Sequence, residues 1–127
     1  MHAVIAICLG ACAGALLRWW LGLWLNHAGA FMPWGTLAAN LIGGYLVGIC
    51  VGYFECHLDM NPVWRLLLVT GFLGALTTFS SFSAETVDMM LHQRYVQATA
   101  TMALHLGGSL LLTVAGFKTA ALWLAER

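Results

Sequence analysis

The chain is 127 residues long, and apolar residues make up 61% of it, whereas Asp, Glu, Lys and Arg make up only 8%. A soluble domain carries about 25% charged residues, so this composition excludes a water-facing surface over most of the chain, and a mean hydropathy of +0.86 agrees with that. The formal net charge of zero gives no electrostatic case for binding nucleic acid.

Four long apolar runs predict four transmembrane helices, because a helix needs about 20 residues to cross the hydrocarbon layer. We predict helix 1 over residues 3–25, helix 2 from after Pro33 to Phe54, helix 3 over 63–91 and helix 4 over 96–124. The polar stretches 55–62 and 92–94 are predicted to be loops. The predicted fold is an all-α integral membrane protein, a single membrane domain over residues 1–127 with no soluble lobe. We expect no cleaved signal peptide, since the amino terminus carries no Lys or Arg and Arg18 interrupts the first run.

The basic residues are divided almost equally between the two sides of the membrane. Arg65, Lys118 and Arg127 are predicted on one side, and Arg18 and Arg94 on the other. Orientation follows the side with more Lys and Arg, and this distribution favours neither side. Insertion in both orientations and insertion in one fixed orientation therefore stay open.

Helices 1 and 2 each carry one strongly polar side chain within a stripe of small residues. The stripes, spaced four apart, are Gly10, Gly14, Arg18 and Gly22 in helix 1 and Asn40, Gly44, Gly48 and Gly52 in helix 2. Residues four apart share a helix face, and small residues let helices approach closely in lipid, so both stripes predict packing seams. Because Arg18 or Asn40 would be costly against lipid, and four helices are few to shield both, we expect an oligomer.

Helix 3 has an unusual centre for a segment that crosses a membrane. Gly74 followed by Thr77 and Thr78 predicts a break in the helix, within a stretch rich in hydroxyl residues. A break at membrane depth is tolerated where protein or a water-filled cavity satisfies the freed backbone groups. The freed carbonyls would suit a hard cation such as Na⁺. Phe79 and Phe82, three residues apart, point roughly the same way.

Helix 4 carries a line of polar residues in an otherwise apolar helix, namely Thr101, His105, Ser109 and Thr113. A single Ser or Thr in a membrane helix usually bonds its own backbone, but four polar residues in one line suit the wall of an ion path. His105 taken alone is more often an ordinary buried histidine than a functional one.

The polar groups predicted within the membrane favour an anion over a cation. Cation exporters of this size hold their substrate with a carboxylate in the membrane, and only Glu85 lies deep in a predicted span. Arg18, the hydroxyls and the Asn40 amide suit an anion, as does the positive edge of an aromatic ring. A proton-coupled multidrug exporter and a non-transporting membrane subunit stay open as alternatives. The sequence shows no nucleophile–base pair and no phosphate-binding loop, so we expect that the protein is not an enzyme.

Three motifs resemble the Fluc (CrcB-type) family of fluoride channels, and the resemblance covers nearly the whole chain. They are GACAGALLRW at residues 10–19, GTLAANLIG at residues 35–43 and GFLGALTTFSSF at residues 71–82. The last of these is the most specific, and the three occur in order in a chain of this length.

The resemblance implies a fluoride-selective channel for passive efflux, which confers fluoride resistance on a bacterium through its inner membrane. Its form would be an antiparallel, dual-topology homodimer in lipid, with two fluoride paths and a structural Na⁺ at the centre, on the backbone carbonyls of Gly74 and Thr77. The residues that match the family's fluoride path are Phe79, Phe82, Asn40, Ser80, Ser109, Thr113 and Glu85, with Arg18 at the aqueous mouth of the pore. His105 departs from the hydroxyl or small residue expected at its position, and its titration would make conduction sensitive to pH.

Overall fold

The computed structural model describes residues 1–125 as four helices, each long and apolar enough to cross a membrane. Helix α1 is His2–Leu25, α2 is Trp34–Cys56, α3 is Pro62–Leu91 and α4 is Tyr95–Ala125. The predicted all-helical fold with four membrane-length helices is confirmed, and the predicted bounds are correct to within two residues. Arg127, which entered the count of basic residues, lies outside the described residues.

The helix ends follow from local hydrogen-bonding chemistry. Asn61 precedes Pro62, which has no N–H to leave unpaired in a first turn, and the Asn61 side chain accepts from the N–H of Val63 at 3.0 Å. The side chain of Asn26, which follows α1, accepts from the N–H of Gly35 at 2.7 Å. This bond fixes the end of α1 against the start of α2, across a loop of which Gly29 has a positive φ of 82°.

Glycines set how closely the helices approach. In the described chain α1 packs mainly on the first part of α3, and α2 packs mainly on α4. A Cβ atom on Gly14 would overlap the carbonyl oxygen of Phe72, and one on Gly48 would overlap that of Thr113. Backbone therefore lies directly on backbone at both crossings, which is what the small-residue stripes predict. Gly22 differs, because a Cβ there would meet only the Asn26 side chain, at 3.7 Å.

Two of the four helices are irregular within the membrane-length segment. Residues Leu66–Leu73 of α3 and Leu104–Gly108 of α4 form π-helical turns, in which each hydrogen bond reaches back five residues. Beyond Gly74–Leu76 the backbone of α3 becomes extended at Thr77 (φ −77°, ψ 149°) and Thr78 (φ −149°, ψ 115°). The helix begins again as Phe79–Leu91, so α3 has a first half (62–76) and a second half (79–91).

The apolar surface of the four helices is turned outward rather than inward. The buried core is small, and its two clusters centre on Leu76 and on Met89. Large apolar side chains are exposed along every helix, for example Leu16, Ile42, Val87 and Leu111. A water-soluble chain of this size would bury most of these, so this distribution indicates a protein surrounded by lipid.

Candidate functional site

The centre of the site is a contact between Asn40 of α2 and the extended residue Thr78 of α3. The N–H of Thr78 donates to Asn40 Oδ1 at 2.7 Å, and Asn40 Nδ2 donates to the carbonyl oxygen of Thr78 at 3.1 Å. Asn40 Nδ2 also lies 3.0 Å from Nδ1 of His105 on α4. One half-buried amide therefore joins three of the four helices, and it satisfies both backbone groups of a residue that a regular helix would have paired.

The extended residues release carbonyl groups at the end of the first half of α3. In a regular helix the N–H of Thr78 would donate to the carbonyl of Gly74, but here it donates to Asn40. The N–H of Ser81 would reach the carbonyl of Thr77, and it donates instead to the Thr78 hydroxyl at 3.1 Å. The carbonyls of Gly74 and Thr77 thus lose their helical donors.

Arg18 donates a hydrogen bond to a third carbonyl freed at the end of the first half of α3. Its Nε donates to the carbonyl oxygen of Ala75 at 3.0 Å, in place of the N–H of Phe79 that would close the helical turn. The half-buried guanidinium of α1 is thereby held at the end of the first half of α3, with its terminal nitrogens left for other partners.

The two phenylalanines begin the second half of α3 in different environments. Phe79 is 72% exposed, whereas Phe82 is 6% exposed. Their ring centroids are 5.5 Å apart with the planes at 61°, an edge-to-face contact, and Phe82 also stacks on the His105 ring at 4.7 Å and 25°. The aromatic pair predicted from spacing is therefore a contacting pair, extended by a third ring that comes from α4.

These groups line one cavity of about 440 Å³ on the face of the chain where α2, α3 and α4 meet. Its lining includes Asn40, Gly74, Thr77, Phe79, Phe82, His105 and Ser109. Within the part of the chain that the structure describes, the lining has no Asp, Glu, Lys or Arg. The cavity can therefore offer hydroxyl, imidazole and aromatic groups to an ion without a fixed charge that would trap it.

Another cavity, of about 450 Å³, is lined by Arg18, Glu85 and Thr78. The buried Thr36 hydroxyl donates to Glu85 Oε1 at 2.6 Å. Glu85 Oε2 is buried, with no partner among residues 1–125. Thr78 lines both cavities.

Ser80 and Thr113 do not line the cavity that holds Asn40, Phe79, Phe82 and Ser109. Ser80 is exposed, and its hydroxyl lies 3.2 Å from that of Thr78. The Thr113 hydroxyl contacts the carbonyl oxygens of Gly44 at 3.0 Å and Ser109 at 2.8 Å. Its one hydrogen is engaged by backbone, which is the ordinary use of a threonine in a membrane helix. Ser109 does line the cavity.

Thr36, Thr78 and His105 contribute more to the site than the sequence indicates. Thr36 lies four residues before Asn40, on the same face of α2, and that spacing is the signal that could have marked it. Thr78 stands out in the sequence only as part of the break, and nothing there shows that Asn40 satisfies its backbone. The contacts of His105 with Asn40 and Phe82 join distant parts of the chain and leave no local signal.

Four apolar helices of membrane length, with a cavity free of charged side chains between three of them, indicate a multi-pass membrane protein over the described residues 1–125. The chain belongs to the CrcB family, because the family described as "CrcB-like protein, Camphor Resistance (CrcB)" matches residues 5–117. The resemblance drawn from the three sequence motifs is confirmed.

Similar proteins extend along almost the entire chain. It is 64% identical over 125 residues to a protein of Albidiferax ferrireducens named "Fluoride-specific ion channel FluC", with 98% of this chain and 95% of that protein covered. Proteins of the same name from Paracidovorax citrulli (59% identical, 97% of each chain covered) and Variovorax paradoxus (61% identical, 91% of this chain and 92% of that one) are also similar. These relatives are named as channels, and the prediction that the chain is not an enzyme is confirmed.

Proposed function

We propose that this protein is a fluoride-selective ion channel of a bacterial inner membrane, through which fluoride leaves the cell down its gradient. The observation that carries the proposal is the 64% identity, over nearly all of the chain, to a protein named as a fluoride-specific channel. The cavity lined by Asn40, Phe79 and Phe82 supports it, because these three residues match the path of the Fluc family.

Passive efflux through such a channel would remove fluoride that accumulates in the cell. Hydrogen fluoride crosses a membrane as the neutral acid and dissociates in the more alkaline cytoplasm, which traps the anion inside. A path lined by neutral donors replaces part of the hydration of a small anion. Phe79 and Phe82 both line the cavity, and the positive edge of an aromatic ring can meet an anion. The lining thus favours fluoride over chloride by size and by donor strength.

The channel is an antiparallel homodimer with two fluoride paths, one subunit being inserted each way up. The 72% exposure of Phe79 supports a second chain, since a path residue needs a wall on both sides. The near-equal division of Lys and Arg between the two sides supports insertion in both orientations. The remaining apolar surface faces membrane lipid.

A structural Na⁺ at the centre of the dimer is bound by the carbonyl oxygens of Gly74 and Thr77. The support is that the helical donors of both carbonyls are engaged elsewhere, by Asn40 and by the Thr78 hydroxyl. Carbonyl oxygens suit a hard cation. Two carbonyl oxygens from each subunit would give a site of four oxygens. The ion would join the subunits at the extended residues of α3.

Arg18 and Glu85 act at the aqueous mouth of each path. They line one cavity, whose lining does not include the phenylalanine pair. The Arg18 guanidinium raises the local concentration of anions. The contact of Glu85 with Thr36 keeps one carboxylate oxygen occupied.

Efflux of fluoride and chloride from liposomes loaded with both ions tests the function. Purified protein is reconstituted at about one dimer per vesicle, and the two ions are followed with selective electrodes. Fast loss of fluoride with chloride retained is the expected result. If protein shown to be folded and dimeric releases neither ion, the proposal is rejected. That result would favour the multidrug exporter or the non-transporting membrane subunit.

Two substitutions, Phe79→Ile and Phe82→Ile, test whether fluoride passes through the proposed cavity. Each of them has a matched control. Phe31→Ile changes an exposed phenylalanine, and Phe54→Ile one that is buried to nearly the same extent as Phe82, at 8% against 6% exposed. Fluoride efflux falls in both cavity variants and is retained in both controls, while all four elute as dimers. Full efflux in Phe79→Ile and Phe82→Ile would show that the rings do not line the path.

A further inference from the structure

His105 is in contact with the centre of the site although it is not among the residues that match the family's path. It is 4% exposed, its Nδ1 lies 3.0 Å from Asn40 Nδ2, and its ring stacks on Phe82. It lines the same cavity as both partners. A side chain so placed either fills space or takes part in binding the ion, and its hydrogen bonds distinguish the two.

The hydrogen bonds of Asn40 determine which nitrogen of His105 carries the proton. The Thr78 N–H can only donate, so the Asn40 atom that it meets at 2.7 Å is the oxygen, and the other atom is the NH₂ group. That group has no lone pair to offer, so His105 Nδ1 accepts one of its hydrogens. A neutral imidazole has one donor and one acceptor, and the proton of His105 therefore resides on Nε2.

The hydrogen bonds of Asn40 and His105 also show which N–H donor remains without an acceptor. Thr78 and His105 take both hydrogens of the Asn40 NH₂ group, so in this arrangement Asn40 has none left for an ion. His105 Nε2 is buried and has no partner among residues 1–125. A buried N–H without an acceptor is rare and costly, and shielding from water strengthens any hydrogen bond that it makes.

We propose that His105 is a ligand of the fluoride path, which accepts from Asn40 through Nδ1 and donates its buried Nε2–H to a fluoride ion that has shed its water. This assignment rests on the proposed channel function. An N–H donor excludes a cation as the ligand, and within residues 1–125 the lining of the cavity supplies no charged group that would compete. Nδ1 also keeps the Asn40 amide in the orientation that satisfies Thr78.

Nuclear magnetic resonance of the reconstituted wild-type channel tests the assignment directly. The protein is labelled with ¹⁵N at histidine, and the His105 signals are those that His105→Gln removes. Without fluoride, Nδ1 should resonate as an acceptor and Nε2 as a protonated nitrogen. Sodium fluoride should shift the Nε2–H signal and split it by coupling to ¹⁹F, whereas sodium chloride at the same concentration should leave it unchanged.

Two outcomes would overturn the assignment while leaving the channel function standing. One is a proton found on Nδ1. The other is an Nε2–H signal that saturating fluoride does not move, in a preparation whose fluoride efflux is normal. Absence of efflux from the wild type would instead reject the channel function, so the two failures are distinguishable.

Substitutions give a second test through flux. His105→Gln keeps an N–H donor near the place of Nε2 and should conduct within about threefold of wild type, whereas His105→Leu should fall roughly tenfold or more, the scale of one hydrogen bond to a charged group. His92→Leu, at an exposed position directly after α3, is the control and should conduct normally. Wild-type flux in His105→Leu would overturn the assignment, and if that variant does not fold, the magnetic resonance result decides.

Discussion

The crossing of α1 and α3 at Gly14 allows a stability prediction with a matched control in the same helix. A Cβ on Gly14 would overlap the Phe72 carbonyl oxygen and would lie 3.0 Å from the N–H nitrogen of Leu76. Both obstacles are backbone atoms, which cannot rotate away as a side chain can. Gly14→Ala can therefore be accommodated only if the two helices move apart.

The magnitude follows from two opposing effects. Alanine favours a helix by about 1 kcal/mol over glycine, while an added methyl group in a packed interior costs about 1–3 kcal/mol. Because the contacts of Gly14 are with rigid backbone, the cost is at the upper end, and the net loss is about 2 kcal/mol. That loss lowers the folded-to-unfolded ratio by roughly 30-fold.

Reversible unfolding in mixed micelles of mild detergent and dodecyl sulfate measures this loss. Gly22→Ala is the control, because its Cβ would meet only the Asn26 side chain, at 3.7 Å. We expect the control to be as stable as the wild type or more so, since it keeps the helix-propensity gain. Equal stability of Gly14→Ala and Gly22→Ala would refute the reasoning that backbone contact sets the helix spacing.

Three further predictions concern the site. Asn40→Ala leaves both backbone groups of Thr78 without partners, so it should lower the free energy of unfolding by about 2–6 kcal/mol and abolish fluoride efflux; an unfolding titration with unchanged midpoint would contradict this. Phe82→Ile should destabilise the fold by about 1 kcal/mol or more, while Phe79→Ile should not, because only Phe82 is buried; the same titration compares them, and an equal loss in both would count against the burial argument. Protein purified and assayed without sodium should lose fluoride efflux and regain it when Na⁺ is added back; full efflux throughout would argue against a cation on the α3 carbonyls.

The helices were predictable because their signals are local. Long runs without charge predict the spans, and Pro33 and Pro62 mark where α2 and α3 begin. Glycine spacing predicts the seams, although it does not distinguish Gly14, whose Cβ would point into backbone, from Gly22, whose Cβ would not. That difference depends on where the two helices cross, which spacing along one helix does not encode.

For the candidate site, the sequence indicates which residues to consider but not how they contact one another. Asn40, Phe79 and Phe82 share motifs with a known family, and the structure brings them to one cavity. The contacts that define the geometry join residues 38 and 65 positions apart, as Asn40 does with Thr78 and His105. Helical periodicity relates residues only within one helix, so neither contact has a sequence signal. Thr113 has the right spacing, but its hydroxyl donates to backbone.

The extended residues Thr77 and Thr78 place two helix ends of opposite polarity side by side near the middle of the span. The peptide dipoles of a helix leave about half a negative charge at its carboxyl end and about half a positive charge at its amino end. The first half of α3 ends at Leu76 and the second begins at Phe79, so both partial charges fall within a few residues of each other. One interruption therefore produces an electric field that favours a cation on one side and an anion on the other, without any ionised side chain. The break can in this way favour ions of both signs while, among residues 1–125, the lining of the cavity carries no charged side chain.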